Sequence, residues 1–172
     1  MKKILLAVMA VIGLVGCSDG AVAQVKVGDK VPLFSLTDQN GKVFDMAEIA
    51  GKRRIVIYFY PKDDTPGCTK EACSFRDNKA LFAECNTDIV GISSQDVESK
   101  KAFAEKYQLN FSVLADEGNK VRKLFAVPSD LGIIPGRVTY VVNESGVVVF
   151  IYNSQTDAEA HVSEALKFVK GL

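Results

Sequence analysis

The chain has 172 residues, 21 basic and 21 acidic side chains, a single His and no Trp, a length that holds one compact domain with a real core and is short for two. Zero formal net charge argues against a nucleic-acid binder, which carries a basic surplus. A composition 48% hydrophobic and 24% charged is that of a globular domain rather than a disordered one. Four cysteines are too few for a disulfide scaffold, so each needs its own account.

The chain opens MKKILLAVMAVIGLVGC. Lys2 and Lys3 form a positive start, and Ile4 to Val15 is an uncharged apolar run of twelve residues. Such a run is short for a bilayer span and suits a signal peptide. Leu14-Val15-Gly16-Cys17 resembles a bacterial lipobox, which implies cleavage before Cys17 and a diacylglycerol on its sulfur. Ala21-Val22-Ala23 is a competing site for ordinary secretion. The expected division is a removed signal peptide over 1–16, a lipidated Cys17 with a tether over 17–26, and one domain over 27–172. Without the leader, 19 basic face 21 acidic residues, a net −2. The expected location is outside the cytoplasm, lipid-anchored to a bacterial membrane. Ser18, where an aspartate often signals inner-membrane retention, favours an outer membrane.

Along the folded part, Val31 to Asp45 alternates around Asp38-Gln39-Asn40-Gly41, a hairpin signal. Arg54 to Tyr60 reads as a buried central strand, apolar on both faces. A loop follows over Pro61 to Gly67, then a helix from about Cys68 to Ala83 and a second buried strand over Asp88 to Ser93. Val97 to Tyr107 has helical spacing, Phe111 to Leu114 is a short strand, and Asn119 to Phe125 a short helix. Val138 to Val142 and Val147 to Tyr152 are strands joined by a turn at Asn143-Glu144-Ser145-Gly146. Ala158 to Val169 closes the chain as an amphipathic helix. Strands alternating with helices, then a terminal hairpin and helix, indicate an α/β sandwich with a mixed sheet.

The stretch that carries chemistry is Pro61-Lys62-Asp63-Asp64-Thr65-Pro66-Gly67-Cys68. A buried strand delivers the chain to a stiff turn, and Cys68 then falls in the first turn of a helix. Free N–H groups and the positive dipole end favour an anion there, so the thiolate, the reactive form of the side chain, is stabilised. An inert structural cysteine has no need of that position.

Pro61-x-x-x-Thr65-x-x-Cys68 and Arg137, opening Arg137-Val138-Thr139-Tyr140-Val141, resemble the two active-site elements of the peroxiredoxins. Thr65-Pro66-Gly67-Cys68-Thr69 followed by Cys73 is similar to the bacterioferritin-comigratory or Q-type subgroup. The resemblance runs from Val27 to the last helix. It implies an α/β thioredoxin-like fold, with a central mixed β-sheet flanked by helices and an N-terminal hairpin extension. It also implies a thiol-dependent peroxidase for hydrogen peroxide and organic hydroperoxides, without metal, haem or flavin. Cys68 is then peroxidatic and Cys73 resolving, a thioredoxin-like dithiol protein recycles the pair, and the enzyme is a monomer.

The implied roles make physical sense. A Cys68 thiolate attacking peroxide becomes a sulfenic acid. The Arg137 fork suits the thiolate and two adjacent peroxide oxygens. The Thr65 hydroxyl both donates and accepts, which helps to align the O–O bond. Pro61 and Pro66 stiffen and shield the loop, and the N–H groups of Gly67 and Cys68 meet charge developing on oxygen. Glu71 has two readings, a partner orienting Arg137 or a solvated first-turn acid. Residues five apart in an ideal helix have Cα atoms roughly 8.6 Å apart, whereas disulfides rarely bridge beyond about 7 Å. A Cys68–Cys73 bond therefore requires the helix start to unwind.

Cys85, near the end of that helix, reads as a packing residue or a backup resolving thiol. His161 reads as a surface or capping residue, and a lone His gives a Cys/His hydrolase weak support. No zinc spacing and no phosphate-binding glycine loop is present. Two rivals stand beside the peroxidase. A thiol–disulfide reductase on the same fold is disfavoured because that chemistry typically uses Cys-x-x-Cys. A non-catalytic binding or chaperone module is opposed by the intact set of Pro61, Thr65, Cys68 and Arg137.

Overall fold

Strand β3 (Arg54–Phe59) lies inside a mixed sheet that, among the described residues, has seven strands in the order β2-β1-β5-β4-β3-β8-β9. The computed structural model describes residues 23–130 and 132–172. The expected leader and Cys17 with its lipobox-like run lie outside the described residues. β4 (Thr87–Ser93) and β5 (Ser112–Ala115) continue the sheet in parallel on one side of β3. On the other side β8 (Val138–Val142) runs antiparallel to β3, and β9 (Val148–Asn153) antiparallel to β8. The expected hairpin is β1 (Ser35–Asp38) with β2 (Val43–Asp45), and β1 pairs antiparallel with β5. Asp38 fixes its turn by accepting from the N–H groups of Asn40 and Lys42, at 2.8 and 2.9 Å.

Alternation along β3 divides the core. Ile55, Ile57 and Phe59 pack on one face with Val90, Ile92, Leu114, Val138, Tyr140 and Phe125. Val56 and Tyr58 pack on the other with Val113 and Val141. Helices α1 (Pro66–Glu84), α2 (Val97–Lys106) and α4 (Ala158–Lys170) cover the second face through Phe75, Phe82, Phe103, Val162 and Val169. Helix α3 (Lys120–Leu124) covers the first with Val121. Burial on both faces is why the central strands read as unbroken apolar runs. This is the thioredoxin-like arrangement expected.

Two differences from the sequence reading have simple causes. Helix α1 begins at Pro66 rather than at Cys68, since a proline at the first helical position gives up an N–H that has no helical partner anyway. The two-residue strands β6 (Ser129–Asp130) and β7 (Ile134–Pro135) form a small antiparallel ribbon too short to show periodicity. Val25, just before Val27, is buried, and its N–H donates to the Phe125 carbonyl at 3.2 Å.

Candidate active site

The site forms where β3 hands the chain to α1. Thr65 is the N-cap in extended conformation, Pro66 and Gly67 follow, and Cys68 is the third residue of the helix. Register brings the second element alongside. Phe59 pairs with Val138, so Arg137, one residue before β8, sits beside the point where the loop leaves β3. Cys68 is 1% exposed and Arg137 4%, and Arg137 Nη2 donates to Cys68 Sγ at 3.4 Å. A Cβ on Gly67 would stand 3.2 Å from that same Nη2, so the closeness of the guanidinium depends on glycine there. The Thr65 hydroxyl donates to the Lys62 carbonyl at 3.1 Å and does not cap the helix, leaving its lone pairs free to accept.

Glu71 is not the solvated first-turn acid of its second reading. It is fully buried, and its Oε2 accepts from Arg137 Nη1. Burial pushes its carboxyl up to about 8, against the pull of Arg137. Burial alone would lower Arg137, but Glu71 and Cys68 beside it more than offset that and raise it. His161 corrects the surface or capping reading: it is fully buried in α4. One ring nitrogen, Nε2, lies 2.8 Å from the Ser154 carbonyl, and Nδ1 lies 2.8 Å from Thr139 Oγ1 and 3.7 Å from Glu71 Oε1. Burial holds its pKa down at about 4.

Cys73 and Cys85 are free, half-buried thiols. Cys73 lies within α1, one and a half turns beyond Cys68, and Cys85 is the C-cap at the far end. With ~1.5 Å rise per residue, Cys85 is roughly 25 Å along the helix from Cys68.

The AhpC/TSA family profile matches residues 27–151. Chloroplastic peroxiredoxin Q of Populus jackii is 50% identical over 151 residues, which is 87% of this chain and 70% of that protein. The Arabidopsis thaliana protein of the same name is 52% identical over 149 residues, 86% of this chain and 68% of that one. The chain belongs to the peroxiredoxin Q family. Among solved structures, peroxidoxin BcpB from Mycobacterium tuberculosis superposes with a TM-score of 0.80 at 35% identity, covering 87% of this chain and 99% of that one. Peroxiredoxin Q from Xanthomonas campestris does so at 0.74 and 27%, covering 80% and 90%. The protein is a thiol-dependent peroxidase, and peroxiredoxins reduce peroxides with a thioredoxin-like reductant.

These relatives correct one expectation. Export and lipid anchoring on a bacterial membrane do not stand, because relatives about 50% identical over nearly nine-tenths of the chain are named chloroplastic. The reading rested on residues 1–18, which lie outside the 27–151 family match.

The peroxiredoxin loop is held by residues the sequence reading passed over. Asp63 is buried and binds Lys100 Nζ through both oxygens, at 2.9 and 3.0 Å. It also accepts from Tyr60 Oη at 2.6 Å and Ser99 Oγ at 2.8 Å. Asp64, in left-handed conformation with φ 57°, binds Lys106 Nζ at 2.7 and 2.8 Å and the Tyr107 hydroxyl. Both acids thus tie the loop to α2. Arg122 Nη2 donates to the Tyr60 carbonyl at 2.9 Å and its Nη1 to the Gly136 carbonyl at 2.8 Å. It joins the residues just before Pro61 and Arg137.

Proposed function

We propose that Cys68 is the peroxidatic residue and Cys73 the resolving one, with Arg137 and Thr65 orienting the peroxide. The observation that carries this reading is the Arg137 guanidinium 3.4 Å from a buried sulfur in the first turn of a helix. The Cys68 thiolate attacks one peroxide oxygen, an S–O bond forming as the O–O bond breaks. The second oxygen leaves with the bonding pair and takes a proton, as water from hydrogen peroxide or as an alcohol from an organic hydroperoxide. Arg137, the helix N–H groups and the Thr65 hydroxyl meet the charge on the leaving oxygen. Pro61 and Pro66 hold the loop closed around that position. The Cys73 sulfur then attacks the Cys68 sulfenic acid, expels water and forms a disulfide, which a dithiol protein reduces by exchange.

Helix geometry sets a condition on the second step. Cys68 and Cys73 both lie in α1, roughly 8.6 Å apart at Cα, beyond the about 7 Å a disulfide spans. The first turns must open, and Cys73 needs far less opening than Cys85. The test is one equivalent of hydrogen peroxide added to the fully reduced chain, with thiol loss followed in time and the linkage mapped by mass. Rapid loss of two thiols with a Cys68–Cys73 link supports the reading. A Cys68–Cys85 link reassigns the resolving residue, and slow or absent thiol loss overturns the role of Cys68.

A further inference from the structure

Arg137 has two acidic partners, the Cys68 sulfur and the Glu71 carboxyl, and all three are buried. Were both partners ionised, one guanidinium would face two anions and the cluster would carry a net negative charge away from water, which is costly. Something has to neutralise one of them while Cys68 reacts.

The neighbouring atoms show where a proton can sit. Glu71 Oε2 is taken by Arg137, whereas Oε1 is buried without a hydrogen-bond partner and faces His161 Nδ1 at 3.7 Å. The other ring nitrogen, Nε2, meets the Ser154 carbonyl, which only accepts, so Nε2 carries hydrogen in every state. Nδ1 is the atom left to choose. Neutral, it accepts from the Thr139 hydroxyl at 2.8 Å; protonated, it faces the carboxylate as a donor. The other titratable groups around the pair are Cys68 on α1, Tyr58 on β3, Arg137 before β8, Tyr152 on β9 and Asp157 capping α4. Tyr58 is buried and held in its neutral form, its pKa raised first by burial and then by Glu71. Tyr152 stands edge-on to the His161 ring, 4.8 Å between centroids. Asp157 accepts from the Ala160 N–H at the start of α4.

We propose that Glu71 and His161 hold one proton between them, and that this proton, by cancelling the carboxylate charge, leaves the Arg137 guanidinium to the Cys68 thiolate and the incoming peroxide. His161 is then a positioning residue of the peroxidase, acting through Glu71 and Arg137. The inference rests on the reading of Cys68 given above. Burial, pushing Glu71 up to about 8 and His161 down to about 4, leaves one proton on the pair between those limits. Above them Arg137 is divided between two anions, so the reaction with peroxide slows instead of levelling off, as a thiolate alone would make it do.

The experiment is the single-turnover rate of the reduced full chain with hydrogen peroxide, followed from about pH 6 to about pH 10. Wild type should show a descending limb near pH 8, with a fall of about tenfold. Glu71→Gln, which keeps the shape and cannot ionise, should lack the limb. His161→Leu, which removes the acceptor facing the protonated Glu71 carboxyl, should move the limb down by about one pH unit. Independently of activity, infrared difference spectra should show a protonated-carboxylic-acid band that disappears across the same pH range and is missing in Glu71→Gln. Wild-type rates that stay level past about pH 9, a limb that persists in Glu71→Gln, or the absence of the infrared band would each overturn the proposal. A protein inert to peroxide at every pH refutes the role of Cys68 instead, and the infrared band still decides where the proton is.

Discussion

Replacing Lys100 by Met removes the cation from the cluster under the active-site loop while keeping most of the side chain's volume. The expected cost can be worked from the contacts. Lys100 is fully buried, and its Nζ meets both Asp63 oxygens at 2.9 and 3.0 Å, the Tyr60 hydroxyl at 3.2 Å and Ser93 Oγ. Burial pulls its pKa down despite Asp63, a sign of how dry the position is. Removing one partner of such a pair costs about 3–5 kcal/mol, because the other is left uncompensated. Asp63 keeps hydrogen bonds from Tyr60 at 2.6 Å, Ser99 at 2.8 Å and Ser93 at 3.2 Å, which places the cost near the lower end, about 3 kcal/mol. In a protein of this size each kcal/mol moves Tm by roughly 2–4 °C, so a fall of about 6–12 °C is expected in a thermal melt. Adding Asp63→Asn removes the stranded charge and should restore part of the loss, a coupling of about 1–3 kcal/mol in a double-mutant cycle. The peroxide rate of the single variant should fall as well, since Asp63 ties the Cys68 loop to α2. A Lys100→Met protein that loses less than about 1 kcal/mol, or shows no coupling with Asp63→Asn, refutes the clamp.

Gly67→Ala should separate stability from activity. Alanine favours a helix over glycine by up to about 1 kcal/mol, yet its Cβ would stand 3.2 Å from Arg137 Nη2 and push the guanidinium off Cys68. Tm should hold while the rate with peroxide drops about tenfold; an unchanged rate contradicts the geometry. Gly136→Ala meets backbone instead, its Cβ 2.1 Å from the Pro128 carbonyl oxygen, and a calorimetric loss of about 1–3 kcal/mol is expected. For acid stability the sign follows from His161, whose folded pKa of about 4 lies below its ordinary 6.5. Its contribution is complete above 6.5 and is lost as pH falls towards 4, about 3 kcal/mol in all. Denaturant titrations at steps across that window should show a steeper decline for wild type than for His161→Leu, and equal slopes would show that the ring is not held neutral.

The strands and helices were legible because each has a strong local pattern. RIVIYFY reads as a two-sided buried strand, and Cys68 falls at a helix start because Pro66 and Gly67 stand just before it. Apart from Glu71, the supporting charges were not read, although all of them left a signal of one kind. Glu71 shares the buried stripe of α1 with Cys68, Ala72 and Phe75. Lys100 shares that of α2 with Phe103 and Ala104, and His161 lies on that of α4 between Ala158 and Ala165. Arg122 is buried beside Val121 in α3. A polar residue at a core-facing helical position is either paired or costly, so position alone marked these four as engaged. Except for Arg137 beside Glu71, their partners stayed hidden. Asp63 and Lys100 are 37 residues apart, and Glu71 and Arg137 are 66 apart, separations that only the sheet register closes.

That register explains why two distant segments make one site. β3 and β8 are antiparallel neighbours with Phe59 opposite Val138, so the end of one strand lies beside the beginning of the other. The Cys68 loop departs from the first as Arg137 enters the second. Pairing ends there, and nothing in the ladder itself fixes the two segments beyond it. Arg122 supplies that link, with one nitrogen on the Tyr60 carbonyl and another on the Gly136 carbonyl. Its fork spans the two segments one residue past Phe59 and two before Val138 and extends the sheet's spacing into the loops. A lysine at the same place has a single nitrogen and cannot hold both carbonyls in a fixed geometry. The distance between thiol and guanidinium is therefore set by strand register, a buried arginine fork and the missing side chain of Gly67, while Glu71 and His161 act on the charge that guanidinium can offer.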